Sequence, residues 1–324
     1  MEQNTLEISH LTVSFPTDRG GFRPVNDVSL TVRKGQIVGL VGESGCGKSM
    51  TARAVMGLIR SPGKVTGGQI LLEGKDLLAL NGKEMRSLRG NELAMVFQDP
   101  MTSLNPVVPV GKQVEEAILL HRRVSREEAR KRTLEAFRDV GISEAEKRSR
   151  SYPHELSGGL RQRVMIAMAM VCRPRLLIAD EPTTALDVIM EAQILQLMRQ
   201  MRDRGTSILF ISHNLGVIAQ LCDYTCVMYA GRIAEQGDTR ELFERPVHPY
   251  TRGLLGAVSS LDRKGEELET IRGSVPAPGS LPAGCPFGPR CGLCDETCRG
   301  ACPEPREISP GHIVRCFHAG EVPV

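Results

Sequence analysis

Gly42-Glu-Ser-Gly-Cys-Gly-Lys-Ser49 is the stretch on which the fold of this 324-residue chain turns. It satisfies the spacing G-x-x-x-x-G-K-S/T, in which glycines let successive backbone N–H groups turn toward a phosphate. The helix that opens behind such a loop adds the positive end of its dipole. Lys48 is then placed to reach β- and γ-phosphates, and the Ser49 hydroxyl to ligate Mg²⁺. The flanks agree with this use. Gln36 to Val41 is a short apolar strand, and Met50 to Ile59 is a helical run. Cys46 occupies a wildcard position, where a small filler is the better reading of its thiol.

Working outward, Leu6 to Phe15 and Val28 to Val32 alternate apolar and polar residues as strands do. Leu176-Leu-Ile-Ala-Asp180-Glu181 is an apolar strand ending in two carboxylates. Buried strands seldom end in paired acids without a cation or a catalytic need. With a phosphate loop upstream, Asp180 suits a second Mg²⁺ contact, and Glu181 suits the base or water-positioning role in attack on a γ-phosphate. Ile208 to Ile211 is another buried strand, and Glu191 to Met201 between them has helical spacing. This alternation predicts an α/β sheet. From about Met101 to Pro153 the chain turns basic and helical. Ser125-Arg-Glu-Glu128 and Ser143-Glu-Ala-Glu146 both fit the capping box. The Arg-rich run from Arg122 to Arg132 reads as a solvated helix face, with a partner-docking surface as the alternative. After about Pro246 the pattern breaks into a segment rich in Pro, Gly and Cys, too poor in apolar residues to fold easily without a staple.

Composition narrows the classes. The length suggests about two domains, and 41% hydrophobic with 24% charged residues excludes disorder as the main state. A net charge of +3 is too balanced to argue for nucleic acid, and 4% aromatics with no Trp disfavours a stacking platform for single strands. No apolar run reaches the length of a membrane-spanning helix, and the start MEQNTLEISH lacks a signal-peptide pattern. The expectation is a cytosolic protein that touches a membrane only peripherally. Of ten cysteines, six crowd between Cys285 and Cys316. In a reducing compartment such a cluster suits metal better than disulfides.

Further motifs follow the loop in a set order. Leu156-Ser-Gly-Gly-Leu-Arg-Gln162 resembles the signature motif of ABC ATPases, Gln98 in Val96-Phe-Gln-Asp-Pro their Q-loop, Ala185-Leu-Asp187 their D-loop, and His213 in Ile211-Ser-His their switch histidine. Phe15 matches the aromatic that stacks on adenine, with core packing as the alternative, since Phe22 lies nearby. The resemblance runs from about Leu6 to Gly237. It implies an α/β, ABC-type P-loop nucleotide-binding domain over 1–245, with a helical subdomain at about 101–165 and a small irregular Cys-rich C-terminal domain over 246–324. It implies that Gly42, Ser44, Gly45, Cys46, Gly47, Lys48, Ser49 and Met50 contact nucleotide. Ser49, Gln98 and Asp180 would hold Mg²⁺, and Glu181 and His213 would be catalytic. Ser157, Gly158 and Gly159 open a helix and so make a second anion site. In the family this site completes the ATP pocket of an opposing subunit. With Glu181, His213 and the signature all intact, a working ATPase half-site is expected.

Gln98-Asp-Pro-Met-Thr-Ser-Leu-Asn-Pro106, Arg245-Pro-Val-His-Pro-Tyr-Thr251 and Gly284-Cys-Pro-Phe-Gly-Pro-Arg-Cys291 are similar to segments of ATP-binding subunits of dipeptide/oligopeptide/nickel-type ABC importers. That resemblance implies an ATPase powering peptide uptake, or alternatively nickel or metal-chelate uptake. It implies a peripheral place on the cytoplasmic face of the inner membrane. The implied partners are a second, related ATPase subunit in a heterodimer, two membrane permeases and an extracytoplasmic binding protein, with no nucleic acid. Soluble relatives acting on ribosomes or DNA would carry a second cassette or a long coiled coil, and neither is present. Cys285, Cys291, Cys298 and Cys316 match the family spacing associated with a 4Fe–4S cluster. Four thiolates also suit structural zinc, and Cys294 and Cys302 depart from the pattern.

Overall fold

The computed structural model describes residues 3–16, 21–99, 103–184, 186–259, 271, 273–276 and 280–319. Ala185 of the D-loop match and residues 100–102 of the Gln98–Pro106 segment lie outside them. The chain forms two compact units. One comprises residues 1–5, 33–35 and 79–210, the other residues 6–32, 36–78 and 211–324.

The first unit is built on β6 (Leu93–Val96), β7 (Leu176–Asp180) and most of β8 (Ser207–Ser212), in the order β6-β7-β8. β6 and β7 run parallel, with Leu93 opposite Leu176 and Val96 opposite Ala179. Every residue of these strands is buried, which is why they read as apolar runs broken only at their ends, by Asp180, Ser207 and Ser212. The helices Val110–His121, Arg126–Asp139 and Gly158–Met170 pack on one another and bury Ile118, Phe137 and Ile166. Each such side chain contributes about 1.5–3 kcal/mol by leaving water. The Ser125 cap forms, its hydroxyl accepting from Glu128 N–H at 3.1 Å. The second expected cap does not. The helix there is only Ala145–Arg148, its N-cap is Glu144 in the left-handed region (φ +51°), and Glu146 pairs instead with Arg138. The expected helix at Glu191 to Met201 is longer, Val188–Asp203.

The second unit holds two sheets. β1 (Asn4–Phe15) and β2 (Phe22–Arg33) pair with β4 (Lys64–Leu72) and β5 (Lys75–Asp76) in the order β2-β1-β4-β5. β3 (Ile37–Val41) pairs parallel to β9 (Tyr224–Tyr229), with Val41 opposite Val227. Outward from β9 come β10 (Arg232–Asp238), β12 (His312–Val314) and β11 (Arg306–Ser309). By sequence alone, the residues beyond Pro246 read as a core-poor appendage. Instead β12 pairs antiparallel with β10, Glu235 opposite Val314, so the tail extends the sheet that carries the phosphate loop. A buried pair locks that edge: Glu235 Oε1 lies 2.8 Å from His312 Nε2 and takes the Val247 N–H at 2.8 Å. No helix among the described residues is long and apolar enough to cross a membrane.

Candidate nucleotide and cysteine sites

The phosphate loop follows β3 directly and feeds the helix Lys48–Val55, which starts two residues before the sequence expectation and ends earlier. Gly47 caps that helix in the left-handed region (φ +113°), where a Cβ would stand 2.2 Å from Pro24 O. At Gly42 a Cβ would stand 2.1 Å from Met228 O. Both glycines are therefore required by the close approach of neighbouring backbone, as well as by the loop's curvature. Lys48 is 5% exposed and donates to Gly42 O at 2.7 Å and Glu43 O at 3.0 Å, which holds its ammonium inside the loop. Cys46 is buried and its thiol is pushed up by that burial, as expected of a protonated filler. Phe15 is half-buried at the end of β1, its ring so close to Gly63 that a Cβ there would meet Cζ at 2.4 Å. His213 is exposed just after β8.

In the other unit, Asp180 ends β7 with 3% exposure. Glu181 next to it has φ +49°, a left-handed conformation costing about 1–3 kcal/mol for a side chain of this kind. Its Oε2 accepts from Gln98 Nε2 at 2.9 Å and from Thr184 Oγ1 at 3.0 Å. Gln98 and Glu181 are thus brought together, 83 residues apart in sequence. Thr184 is a contact that sequence analysis missed. Ser157 caps the helix Gly158–Met170 and accepts from Leu160 N–H at 3.4 Å. Ser157 and Gly158 are exposed, so the N–H groups of that helix start are open to an anion.

None of the six clustered cysteines is paired in a disulfide. Cys285 N–H donates to Cys298 O at 2.7 Å, tying two of them together. Burial pushes the Cys285 thiol up to about 11 and also raises Cys291, Cys298 and Cys316. Tetrahedral zinc with Zn–S bonds of about 2.3 Å would draw its sulfurs to about 3.8 Å from one another. Among the described residues no three cysteine sulfurs gather within 4.8 Å; the one such group of possible ligands is Asp295, Cys298 and His318. Asp295 and His318 carry no sequence signal that singles them out.

The two loops and their flanking strands define a class. The chain belongs to the ABC transporter family: residues 25–184 match the ABC transporter family model, and residues 234–298 match the oligopeptide/dipeptide transporter C-terminal region. It is 50% identical, over 96% of this chain and 93% of that protein, to the oligopeptide transport ATP-binding protein OppD of Salmonella typhimurium. It is 46% identical to the oligopeptide transport ATP-binding protein AppD of Bacillus subtilis, over 96% of each. Among solved structures, the dimeric bacterial ABC transporter cassette MJ0796 superposes with a TM-score of 0.67 at 26% identity, covering 72% of this chain and 99% of that one. The same cassette has been seen as a dimer bound to ADP and Pi in a post-hydrolysis state. The chain is accordingly an ABC-type ATPase, and ATP with Mg²⁺ is the usual pairing for that class.

Proposed function

We propose that this chain is the ATP-hydrolysing subunit of an importer for dipeptides or oligopeptides. The observation that carries the ATPase part is Glu181, held in a strained backbone conformation with its carboxylate fastened by Gln98 and Thr184. Strain of that kind persists only where the surroundings over-determine it, and it concentrates at functional sites. Glu181 orients the attacking water and takes its proton. His213 steadies the γ-phosphate. The loop from Gly42 to Met50 cradles the phosphates, and Phe15 stacks on the adenine. Ser49, Gln98 and Asp180 offer a hydroxyl, an amide oxygen and a carboxylate, the hard oxygen donors Mg²⁺ prefers. The metal's contribution when bound is to neutralise phosphate charge. Ser157, Gly158 and Gly159 serve the nucleotide of a facing cassette.

Peptide as cargo is supported by the match over residues 234–298 and by near-full-length likeness to oligopeptide transport ATP-binding proteins. On this reading residues 1–245 form the nucleotide-binding domain, with its helical subdomain at about 101–165. Residues 246–324 form the importer-type extension. The partners are a distinct second ATPase, two membrane permeases and an extracytoplasmic binding protein, with the chain peripheral on the cytoplasmic face of the membrane. Cys285, Cys291, Cys298 and Cys316 would hold a 4Fe–4S cluster whose role is to staple the extension. The test is reconstitution of the complex in vesicles. ATP-dependent uptake of a labelled oligopeptide supports the reading, and uptake of nickel or a metal chelate with no peptide transport replaces it.

A further inference from the structure

Glu43 fills a wildcard position of the phosphate loop, yet it is gripped at three points. Its N–H donates to the hydroxyl of Tyr250 at 3.0 Å. Its carbonyl accepts from Lys48 at 3.0 Å. Its carboxylate receives both nitrogens of Arg290, Nη1 at 2.7 Å and Nη2 at 3.0 Å. Such a paired, charge-assisted contact is the strong and geometrically selective kind.

The grip comes from the far end of the chain. Tyr250 is fully buried, and the Arg290 side chain is 5% exposed. The Arg290 guanidinium lies 5.7 Å from the Tyr229 ring centre and 5.9 Å from that of Phe287, and those rings contact Tyr250 at 4.6 and 5.4 Å. Four aromatic and cationic groups therefore interlock beneath one peptide of the loop. Arg290 ends the turn Gly288–Arg290, which the cysteines frame: Gly288 N–H donates to Cys285 O at 2.9 Å, and Cys291 N–H to Gly288 O at 3.2 Å. The path of the cysteine segment thus sets where the guanidinium stands.

We propose that Arg290 and Tyr250 are positioning residues for ATP: through Glu43 they hold the phosphate loop in its binding geometry, making nucleotide affinity depend on the cysteine-rich segment. Neither residue needs to touch the nucleotide. Their effect passes through the Glu43 peptide, whose carbonyl also anchors Lys48. The inference rests on the reading of Gly42 to Ser49 as the ATP loop.

The test measures binding of a fluorescent ATP analogue to the full chain, alongside its melting temperature. Arg290→Ala and Glu43→Ala are each expected to weaken binding about tenfold, the scale of a hydrogen-bonded charge pair. The double variant should be no weaker than either single one, because both remove the same contact. Arg290→Lys should recover only part, since an ammonium cannot make the paired contact. Unchanged affinity in a folded Arg290→Ala protein, or additive losses in the double variant, overturns the proposal. Should Arg290→Ala fail to fold, Glu43→Gln decides it: weaker binding at an unaltered melting temperature upholds the proposal, and wild-type affinity refutes it. Lys48→Ala separates the two levels, because undiminished binding there means the loop reading itself is wrong.

Discussion

Replacing Glu181 by Gln changes one atom and removes the proposed base. In the structure Oε2 accepts from both Gln98 and Thr184. A glutamine carbonyl can take that place with its NH₂ where Oε1 stands, so both donors stay paired and the left-handed backbone at φ +49° is kept. The melting temperature should therefore stay within the shift produced by about 0.5 kcal/mol. Proton transfer by a positioned base is worth about 10²–10⁴ in rate, or about 3–5 kcal/mol of barrier. Steady-state phosphate release by the reconstituted complex should fall by that factor, while ATP binding persists. Glu181→Gly is the control for strain. It relieves about 1–3 kcal/mol of backbone cost and still loses turnover. Wild-type turnover in the Gln variant of the assembled complex would refute the role of Glu181. Loss of ATP binding without loss of fold would show that the carboxylate serves binding instead.

Two further outcomes concern the C-terminal segment. His312 is held above the ordinary histidine range, first by its hydrogen bond to Glu235, so it binds a proton more readily folded than unfolded. Its stabilisation is full below about pH 6.5 and is lost as pH rises through the folded value. Burial pushes His248 down to about 4, in keeping with Nδ1 accepting the Tyr250 N–H, so its contribution is lost as pH falls from about 6.5 toward 4. Thermal melts across pH should show greatest stability near pH 6.5, the alkaline limb flattening in His312→Gln; an unchanged limb would assign the pair no such role. Anaerobic purification followed by metal and sulfide analysis should find about four iron and four sulfide per chain, the content of one such cluster. Both should be lost when Cys285, Cys291, Cys298 or Cys316 is replaced. One zinc without sulfide would overturn the cluster.

Much of the candidate nucleotide site was legible without a structure, because its chemistry needs short-range patterns. Glycines at Gly42, Gly45 and Gly47 ahead of Lys48-Ser49, an apolar strand ending in Asp180-Glu181, and a Ser157-capped helix start are each contiguous, and each has a local physical cause. The α/β class followed from buried strands that read as apolar runs. The failed cap at Ser143 shows where local pattern stops: the helix begins after Glu144, and Glu146 pairs with Arg138 across the fold instead of turning back to cap.

What only the tertiary structure decided is how distant residues meet. Sequence marks Glu181 as a base, but the folded chain places Gln98 and Thr184 on its carboxylate and imposes its strained backbone. Arg290 and Tyr250 were visible inside family-like motifs, yet nothing in the letters joins either to Glu43, some two hundred residues earlier. The tail beyond Pro246 looked core-poor because its own apolar residues are few. It folds onto β10 and borrows a hydrophobic core and a buried Glu235 from a strand outside itself. Local propensity can be summed along a chain, whereas burial and pairing are properties of neighbours that only the fold supplies.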